Sequence, residues 1–377
     1  MVSLHASIYE KRNTIGAGIG VSYSPKFTYG SSVGPVLMSC GPWKPIRLEI
    51  YQSRISEFQF PITLSKDLSS ATVNYIAEIE SPPGGATLRI ALYNPQTKDS
   101  EETELVYSET LPVDCPSITG TFTIQSPQLW YPVGYGAQPL YQVTVDLYIN
   151  TTLLHTRTER LAFRQTRLVQ TPLEKGTTFY FEINNIPVFC GGSNWIPADN
   201  LLTRIPRRRY REWLHLLVKG NQNMLRIWGG GIYESDMLYE AADELGILIW
   251  QDLMFACGQY PAHKQFQQNV EEEVITQLKR LRKHPCIVLF AGNNEDYQVA
   301  ESAKLGYDPS DKNPENWLKT RFPARYLYEK LFPELVAKYA PGVPYHPGSP
   351  WGGNNTSDPT IGDIHQWDGV LRSFACD

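Results

Sequence analysis

The sequence lacks the features that mark several large classes of protein. None of its six cysteines forms a CxxC pair, which argues against a zinc ribbon or a dense disulfide framework. No run approaches about 18 consecutive apolar residues, and the first twenty residues do not resemble a signal peptide, so a cytoplasmic protein without a membrane partner is expected. Lys and Arg number 34 against 39 Asp and Glu, and this net charge of −5 disfavours nucleic acid as a partner.

The residues present are those of an ordinary globular protein. Hydrophobic residues make up 42% of the 377-residue chain and charged residues 19%, which excludes a disordered or collagen-like protein. At about 150 residues per domain, the length predicts two or three domains. The 22 tyrosines and 9 tryptophans suit sugar-stacking surfaces and β-sandwich cores equally well, so composition leaves both open.

Alternation with a period of two residues characterises the segment between about residues 43 and 170. Tyr141, Val143 and Val145 alternate with polar residues, and the run 73–79 behaves similarly, so each run buries one face as an antiparallel strand does. Turns rich in Pro and Gly separate the runs, and no helical pattern interrupts them. The pattern predicts an immunoglobulin-like β-sandwich over residues 52–170.

After residue 171 the chain alternates between strand and helix patterns. Pro206 predicts the start of a helix with Trp213, Leu216 and Leu217 on its inner face. The acidic residues 271–273 predict the start of another helix, which ends in basic residues. Strands are predicted at 188–190, 224–228, 247–250, 286–291 and 343–346.

Repeated βα units are typical of either a doubly wound sheet or a (β/α)₈ barrel. No Gly-rich phosphate loop follows the first predicted strand, which favours the barrel. A closed barrel needs eight βα units, and the pattern supplies about five. Residues 171–377 are therefore predicted to form a partial TIM barrel.

Polar and aromatic residues follow the predicted strands, where the working residues of this fold lie. One carboxylic acid among amides and indoles suits a general acid of raised pKa that protonates a sugar leaving group. Glu295 is the best candidate because it follows a buried strand and two asparagines. The full set is Asn194, Trp195 and Asp199 after the first strand, Arg226 and Trp228 on the second, Asp252 after the third, and Asn293, Asn294 and Glu295 after the fourth.

Simpler roles are open for several of these residues. Trp195, Trp228 and Trp250 could be packing residues of the barrel. Asp252 could pair with an arginine, and His284, which follows a basic helix end, is more typical of a helix terminus than of a ligand.

Several long motifs, in the same order, resemble the β-mannosidases of glycoside hydrolase family 2. The similarity runs from about residue 42 to residue 367 and is greatest to fungal enzymes of the intracellular type. The motifs are QLWYPVGYG at 128–136, GGSNWIPAD at 191–199, RIWGGGIYE at 226–234, GNNE at 292–295, WLKT at 317–320, YHPGSPWGG at 345–353 and GDIHQW at 362–367.

The resemblance implies retaining hydrolysis of terminal β-linked mannose from β-mannosides and manno-oligosaccharides. It implies that Glu295 is the acid/base and that Asn294 holds the sugar 2-hydroxyl. No metal or organic cofactor is implied. The remaining substrate-binding residues would be Trp228, Trp195, Asp199 and Arg226, with His365 and Trp367 on a further part of the rim.

Two departures from the family pattern bear on activity. A retaining mechanism needs a second carboxylate about 5 to 5.5 Å from the acid, and the family carries it on a later strand than any predicted here. Near the N-terminus, GSSVGP at 30–35 lacks the aromatic residues of a family loop that reaches the sugar, so residues 1–51 are expected to be the remnant of a jelly-roll domain. We therefore expect a chain truncated at both ends and inactive alone. A non-catalytic carbohydrate-binding fragment and a related β-galactosidase or β-glucuronidase are the alternatives.

Overall fold

The computed structural model describes residues 2–3, 48–95 and 104–366. Strand β1 (Val2–Ser3) pairs antiparallel with β2 (Glu49–Ile50). The rest of the expected jelly-roll remnant, up to residue 47, lies outside the described residues, as does Trp367.

After β2 the chain forms two antiparallel sheets, which share one hydrophobic core. In one sheet β5 pairs with β3, β4 and β8, and in the other the order is β10-β9-β6-β7. Val73, Leu88 and Val145 are fully buried between them, so the alternating runs form a β-sandwich as predicted. The strands are β3 (Arg54–Gln59), β4 (Ile62–Leu64), β5 (Ser70–Glu80), β6 (Ala86–Tyr93), β7 (Leu105–Pro112), β8 (Ser117–Gln125), β9 (Tyr141–Ile149) and β10 (Thr152–Leu161).

Between the sandwich and the parallel strands, the chain forms a small antiparallel sheet. It comprises β11 (Thr166–Val169), β12 (Tyr180–Ile183) and β13 (Ile186–Val188). Asn184 and Asn185 connect the last two strands with φ values of 51° and 63°, the left-handed conformation that a tight hairpin requires. The predicted strand 188–190 is therefore wrong, because Val188 ends a hairpin and the first parallel strand begins four residues later.

Five parallel strands then lie side by side in sequence order. They are β14 (Gly192–Trp195), β15 (Met224–Ile227), β16 (Leu248–Asp252), β17 (Ile287–Ala291) and β18 (Tyr345–His346). Every residue of β16 and β17 is buried, as expected for parallel strands covered on both faces. The predicted succession of parallel strands is confirmed, and within the described residues the sheet is open rather than a closed barrel.

Helices connect these strands. A 3₁₀ turn (Leu202–Arg204) precedes α1, and a π-helical turn (Leu327–Leu331) leads into the last helix. The helices are α1 (Arg207–Lys219), α2 (Asp236–Leu245), α3 (Lys264–Leu281), α4 (Asp296–Ser302), α5 (Pro314–Trp317) and α6 (Phe332–Tyr339).

The predicted inner face of α1 is partly wrong. Trp213 is 44% exposed and Leu216 63% exposed, whereas Tyr210 and Leu214 are buried and Leu217 is half-buried. The buried stripe follows the spacing i, i+4, i+7, which is the geometry of one helix face. Because the sequence offers apolar residues on both sides of this stripe, the pattern alone did not select the correct side.

Helix α3 begins seven residues before the predicted acidic start. The side chain of His263 accepts a hydrogen bond from the backbone N–H of Phe266 and caps the helix. The acidic residues 271–273 consequently lie within the helix, while Lys279 and Arg280 occupy the last turn as predicted. Those two cations face the negative end of the helix dipole.

The turn segment 130–133 of the sandwich fixes the position of the parallel sheet. Trp130 is completely buried, and its indole N–H donates to the backbone oxygen of Asp243 at 2.9 Å. The backbone N–H of Val133 donates to the oxygen of Gly246 at 2.8 Å. Gly246 ends α2 in a left-handed conformation with φ 72°. The sandwich therefore contacts the end of a helix that leads directly into β16.

Candidate active site

The loop after β17 carries Asn294 and Glu295 at the carboxyl edge of the parallel sheet. Asn294 forms isolated parallel bridges with Ala256 on one side and Ser349 on the other. Glu295 has a left-handed φ of 64°, and its backbone N–H donates to the oxygen of Ser349 at 2.9 Å. A non-glycine residue in this conformation is held by its surroundings. The neighbouring loops thus fix the direction in which Glu295 leaves the sheet.

Arg226 connects three strands at this edge through its guanidinium group. It contacts both oxygens of Asp252, at 2.7 and 3.3 Å, and donates to the side-chain oxygens of Asn294 at 2.9 Å and Asn194 at 3.2 Å. The residues that sequence analysis placed after separate strands are therefore brought together around one cation.

Asp252 is the buried partner that holds this arginine. It is completely buried and also accepts from the indole N–H of Trp250 at 2.9 Å and the backbone N–H of Gly229 at 3.0 Å. Burial raises the pKa of Asp252, and the charge of Arg226 opposes that effect. Of the roles considered for Asp252, the structure shows pairing with an arginine.

The Glu295 carboxylate lies between an imidazole and a thiol. Its Oε1 is 2.8 Å from Nδ1 of His365, its Oε2 is 3.3 Å from Sγ of Cys257, and the side chain is 19% exposed. Burial pushes its pKa upward, but the hydrogen bonds from His365 and Cys257, with the charges of His365 and Arg226, lower the pKa by more. The net direction is below the ordinary value, so these contacts do not give Glu295 the raised pKa that suits a general acid.

His365 is in turn part of a longer chain of hydrogen bonds. Its Nε2 lies 3.0 Å from the hydroxyl of Ser349, which donates to Asp363 at 2.7 Å. The other oxygen of Asp363 lies 2.7 Å from Nε2 of the buried His346. Burial raises the pKa of Asp363, but its bonds to His346, Ser349 and the Trp351 backbone lower it by more. Asp363 therefore holds Ser349 and His346 in place, and Ser349 in turn contacts His365.

The two predicted sugar-lining tryptophans lie in different surroundings. Trp228 directly follows β15 and is half-buried, and a Cβ on Gly230 would fall 2.0 Å from its ring. Trp195 is 7% exposed, donates to Glu234 at 2.9 Å and packs against Trp213 of α1. Because neighbouring strand residues point to opposite faces, Asn194 reaches Arg226 while Trp195 points to the helix layer.

Asp199 is also separate from the cluster around Arg226. Its carboxylate accepts from the backbone N–H of Leu201 at 2.9 Å and pairs with Arg209 at 3.3 Å. The Leu201 bond is the main reason that the pKa of Asp199 lies below its ordinary value. These contacts make Asp199 a turn residue before α1.

Three residues of this site were not among those predicted from the sequence. Cys257 contacts Glu295 and accepts from the side-chain amide of Asn294 at 3.2 Å, although the spacing of the cysteines indicated no role for any of them. Ser349 and Asp363 lie within motifs that carry the family resemblance, but no local pattern assigned them a role. The signal for Cys257 was its position after β16, at the same sheet edge as Glu295.

Two findings concern other kinds of site. Over residues 48–95 and 104–366, no group of three or more His, Cys, Asp or Glu side chains is arranged to hold a metal ion. None of the helices in the described part of the chain is both long enough and apolar enough to span a membrane.

Comparisons with known proteins agree with this architecture. Residues 53–164 match the family model for glycosyl hydrolases family 2. β-Mannosidase B of Thermothelomyces thermophilus is 49% identical over 347 residues, which cover 91% of this chain and 40% of that protein. β-Mannosidase B of Aspergillus fumigatus is 46% identical with the same coverage. The crystal structure of β-D-mannosidase from Dictyoglomus thermophilum superposes with a TM-score of 0.80 at 33% identity, covering 97% of this chain and 42% of that one. The chain is similar to β-mannosidases over most of its length, and part of it matches glycosyl hydrolases family 2.

The relationship to β-mannosidases confirms the family predicted from the motifs. The chain spans 40% of the length of the curated β-mannosidases that it matches. A β-glucuronidase from Parabacteroides merdae superposes with a TM-score of 0.59 at 16% identity, which shows a shared fold alone.

Proposed function

We propose that this chain carries the acid/base part of a β-mannosidase site, with Glu295 as the proton donor and acceptor. The observation that supports it is the position of the Glu295 carboxylate, partly exposed at the carboxyl edge of the parallel sheet and beside the Arg226–Asn294 pair. The relatives are named β-mannosidases, so the proposed substrates are β-mannosides and manno-oligosaccharides. The proposed reaction is retaining hydrolysis of the terminal non-reducing mannose.

Proton handling would depend on His365. A general acid must hold a proton before the glycosidic bond breaks, whereas the present contacts favour the ionised form of Glu295. His365 lies 2.8 Å from Oε1 of Glu295, within range for direct proton transfer. We infer that His365 supplies the proton that Glu295 delivers to the leaving oxygen.

Asn294 would hold the sugar 2-hydroxyl. Arg226 fixes its side-chain oxygen, which leaves the amide NH₂ group directed at the Cys257 sulfur at 3.2 Å. Sulfur is a weak acceptor, so a sugar hydroxyl can take over this donor at small cost. Trp228, half-buried beside the same strand end, offers an apolar face to the ring.

Other predicted contacts have less support. Trp195 makes packing contacts, and Asp199 makes contacts within a turn. A sugar-lining role would require each residue to contact the sugar in addition. Trp367 lies outside the described residues. The immunoglobulin-like class of the sandwich, the partial TIM barrel and the cytoplasmic location stay predictions, as do the absence of nucleic-acid and membrane partners.

The carboxyl edge of the sheet, as described above, would not supply the nucleophile that a retaining mechanism requires. Among the described residues, Asp252 and Asp363 lie near Glu295, and both are engaged, Asp252 by Arg226 and Asp363 by His346. A nucleophilic carboxylate must be free to attack the sugar. We therefore propose that residues 1–377 alone do not turn over mannosides.

An aryl β-mannoside assay tests both parts of the proposal. The purified chain and its Glu295→Ala variant are compared on 4-nitrophenyl β-D-mannoside, β-D-galactoside and β-D-glucuronide. We expect no turnover of any substrate above the variant's background. Mannoside turnover abolished by Glu295→Ala would support the acid role but contradict the need for a further carboxylate. Turnover that survives the substitution would contradict the role of Glu295.

A further inference from the structure

A cavity of about 760 Å³ lies between the sandwich and the parallel sheet, far from the candidate active site. Its walls include residues 56–62, 157, 159–162 and 164, the end of α3, and residues 284–285 and 341–343, which precede β17 and β18. Glu295 follows the opposite end of β17. The cavity therefore opens at the amino edge of the sheet, whereas the candidate active site lies at its carboxyl edge.

Cations outnumber carboxylates in the lining of this cavity. Each of the three carboxylates is already paired: Glu57 with Lys279 and Arg282, Glu159 with Arg157, and Asp236 with Arg280. Arg160 pairs with Glu240 and Glu244 outside the lining, which leaves Arg164 and Lys283 as the lining cations without an ion pair among the described residues. Their positive charge gives the cavity a field that favours an anion. The seven lining cations are Arg157, Arg160, Arg164, Lys279, Arg280, Arg282 and Lys283.

Arg164 is the clearest case of a cation without a carboxylate. The hydrogen bonds of its guanidinium group go to the backbone oxygens of Pro285, at 2.7 Å, and Ile287. Burial, only partly offset by nearby negative groups, lowers the pKa of Arg164 to about 10. A guanidinium group whose hydrogen bonds go only to carbonyl groups is stabilised further when an anion approaches.

Two buried nitrogen atoms of lining residues have no hydrogen-bond partner among the described residues. They are Nε2 of His284, a residue that is 4% exposed, and Nη2 of Arg280. Both side chains lie against the ring of Tyr239, with separations of 5.4 Å for His284 and 5.6 Å for Arg280. Leaving such atoms unsatisfied is unfavourable, because each has lost its hydrogen bonds to water without a replacement. Both atoms are shielded from solvent, so a ligand with several oxygen atoms would satisfy them once the two side chains turn toward the cavity that they line.

The ring of His284 narrows the chemistry of that ligand. Its Nδ1 lies 2.6 Å from Asp243, which fixes the proton on that nitrogen. Nε2 then accepts a hydrogen bond in the neutral ring and donates one in the imidazolium form. Hydrogen phosphate can serve either form, because it carries both a hydroxyl group and anionic oxygens.

We propose that this cavity binds a phosphate group, held by Arg164, Arg280, Lys283 and His284. The ligand is inorganic phosphate or the phosphate of a small monoester. Because both the sandwich and the parallel sheet contribute cations, binding would stabilise the contact between them. The site is independent of the proposed mannoside chemistry.

Titration calorimetry with inorganic phosphate at constant ionic strength tests the proposal. The whole chain is titrated first, followed by the variants Lys283→Gln and Arg280→Gln and the control Lys312→Gln, an exposed lysine that does not line the cavity. We expect saturable 1:1 binding that each cavity variant weakens at least fivefold and the control leaves unchanged. Because Lys283 is exposed, its substitution tests the site even where Arg280→Gln impairs folding.

Two outcomes would overturn the proposal: phosphate heats no larger than those of chloride at equal ionic strength, or equal binding by Lys283→Gln and Lys312→Gln. A parallel titration with a hexose phosphate distinguishes the two sources of the group. Tighter binding of the hexose phosphate supports a monoester as the ligand, and equal or weaker binding supports inorganic phosphate.

Discussion

Nδ1 of His365 lies 2.8 Å from Oε1 of Glu295, although 70 residues separate the two in the chain. This contact joins the segment after β18 to the loop after β17. It gives the candidate acid a titratable neighbour on the side opposite the Cys257 thiol. The protonation of Glu295 therefore depends on a residue from another part of the sheet edge.

Removing this imidazole should raise the pKa of Glu295. Burial would still push the pKa upward in His365→Ala, while the largest opposing interaction would be lost. A ¹³C NMR titration of the glutamate carboxyl carbons measures the change. His215→Ala, which alters an exposed histidine on α1, is the matched control and should leave the pKa of Glu295 unchanged. An unchanged value in His365→Ala would show that the contact does not govern Glu295.

Asp363→Asn should lower stability in a pH-dependent way. The folded-state pKa of Asp363 is depressed, so its ionised form stabilises the fold above the ordinary pKa of about 4, and this contribution disappears as pH falls through the folded value. We expect the variant to lose about 1–3 kcal/mol near neutral pH. The difference from the wild type should shrink on acidification.

Urea unfolding of both proteins over a pH series measures that difference. Asp114→Asn, at an exposed position on the sandwich, is the control and should change stability little at any pH. A deficit for Asp363→Asn that stays constant with pH would indicate lost packing instead of lost charge.

Arg226→Met should destabilise the chain by about 3–5 kcal/mol, because it leaves the charge of a completely buried Asp252 without its cation. Denaturant unfolding measures the loss. Arg208→Met is the control: that arginine is 82% exposed and its contact with Glu212 is 3.5 Å, so a change below about 1 kcal/mol is expected. Equal effects of the two substitutions would contradict the central position of Arg226.

Gly246→Ala tests the contact between the sandwich and the helix that precedes β16. Its φ is 72°, and a Cβ there would lie 2.6 Å from the backbone nitrogen of Val133. Gly306→Ala is a close control, since Gly306 has φ 79° but open space around it. Both variants carry the cost of a left-handed alanine, about 1 kcal/mol or more. Gly246→Ala should therefore have the lower melting temperature, and equal values would exclude a tight contact at Val133.

Period-two alternation predicted the sandwich strands β5 and β9, because each buries one face. Buried apolar runs likewise predicted four of the five parallel strands. The first parallel strand was missed because its sequence, Gly192 to Trp195, is largely exposed and carries little apolar signal. Asn184 and Asn185 are typical turn residues, and they indicate that a hairpin precedes this strand.

The parts of the site that depend only on where the strands end could be predicted from the sequence. Arg226, Asn294 and Glu295 meet because the carboxyl ends of neighbouring parallel strands lie at one edge. The direction of the Glu295 pKa shift was not predictable, since it depends on Cys257 and His365, which reach the carboxylate from distant segments. The packing of Trp195 against Trp213 was not predictable either, because its motif does not state which face of β14 it occupies.

The most direct test of the account is whether a mannoside reaches Glu295. In the chain labelled with ¹³C at its glutamate carboxyl carbons, methyl β-D-mannoside is added and the Glu295 signal, assigned with Glu295→Gln, is followed. The account predicts a saturable shift of this signal that Asn294→Ala weakens and that methyl β-D-galactoside does not reproduce. A Glu295 signal that is unmoved by the mannoside, or moved equally by the galactoside, would contradict it.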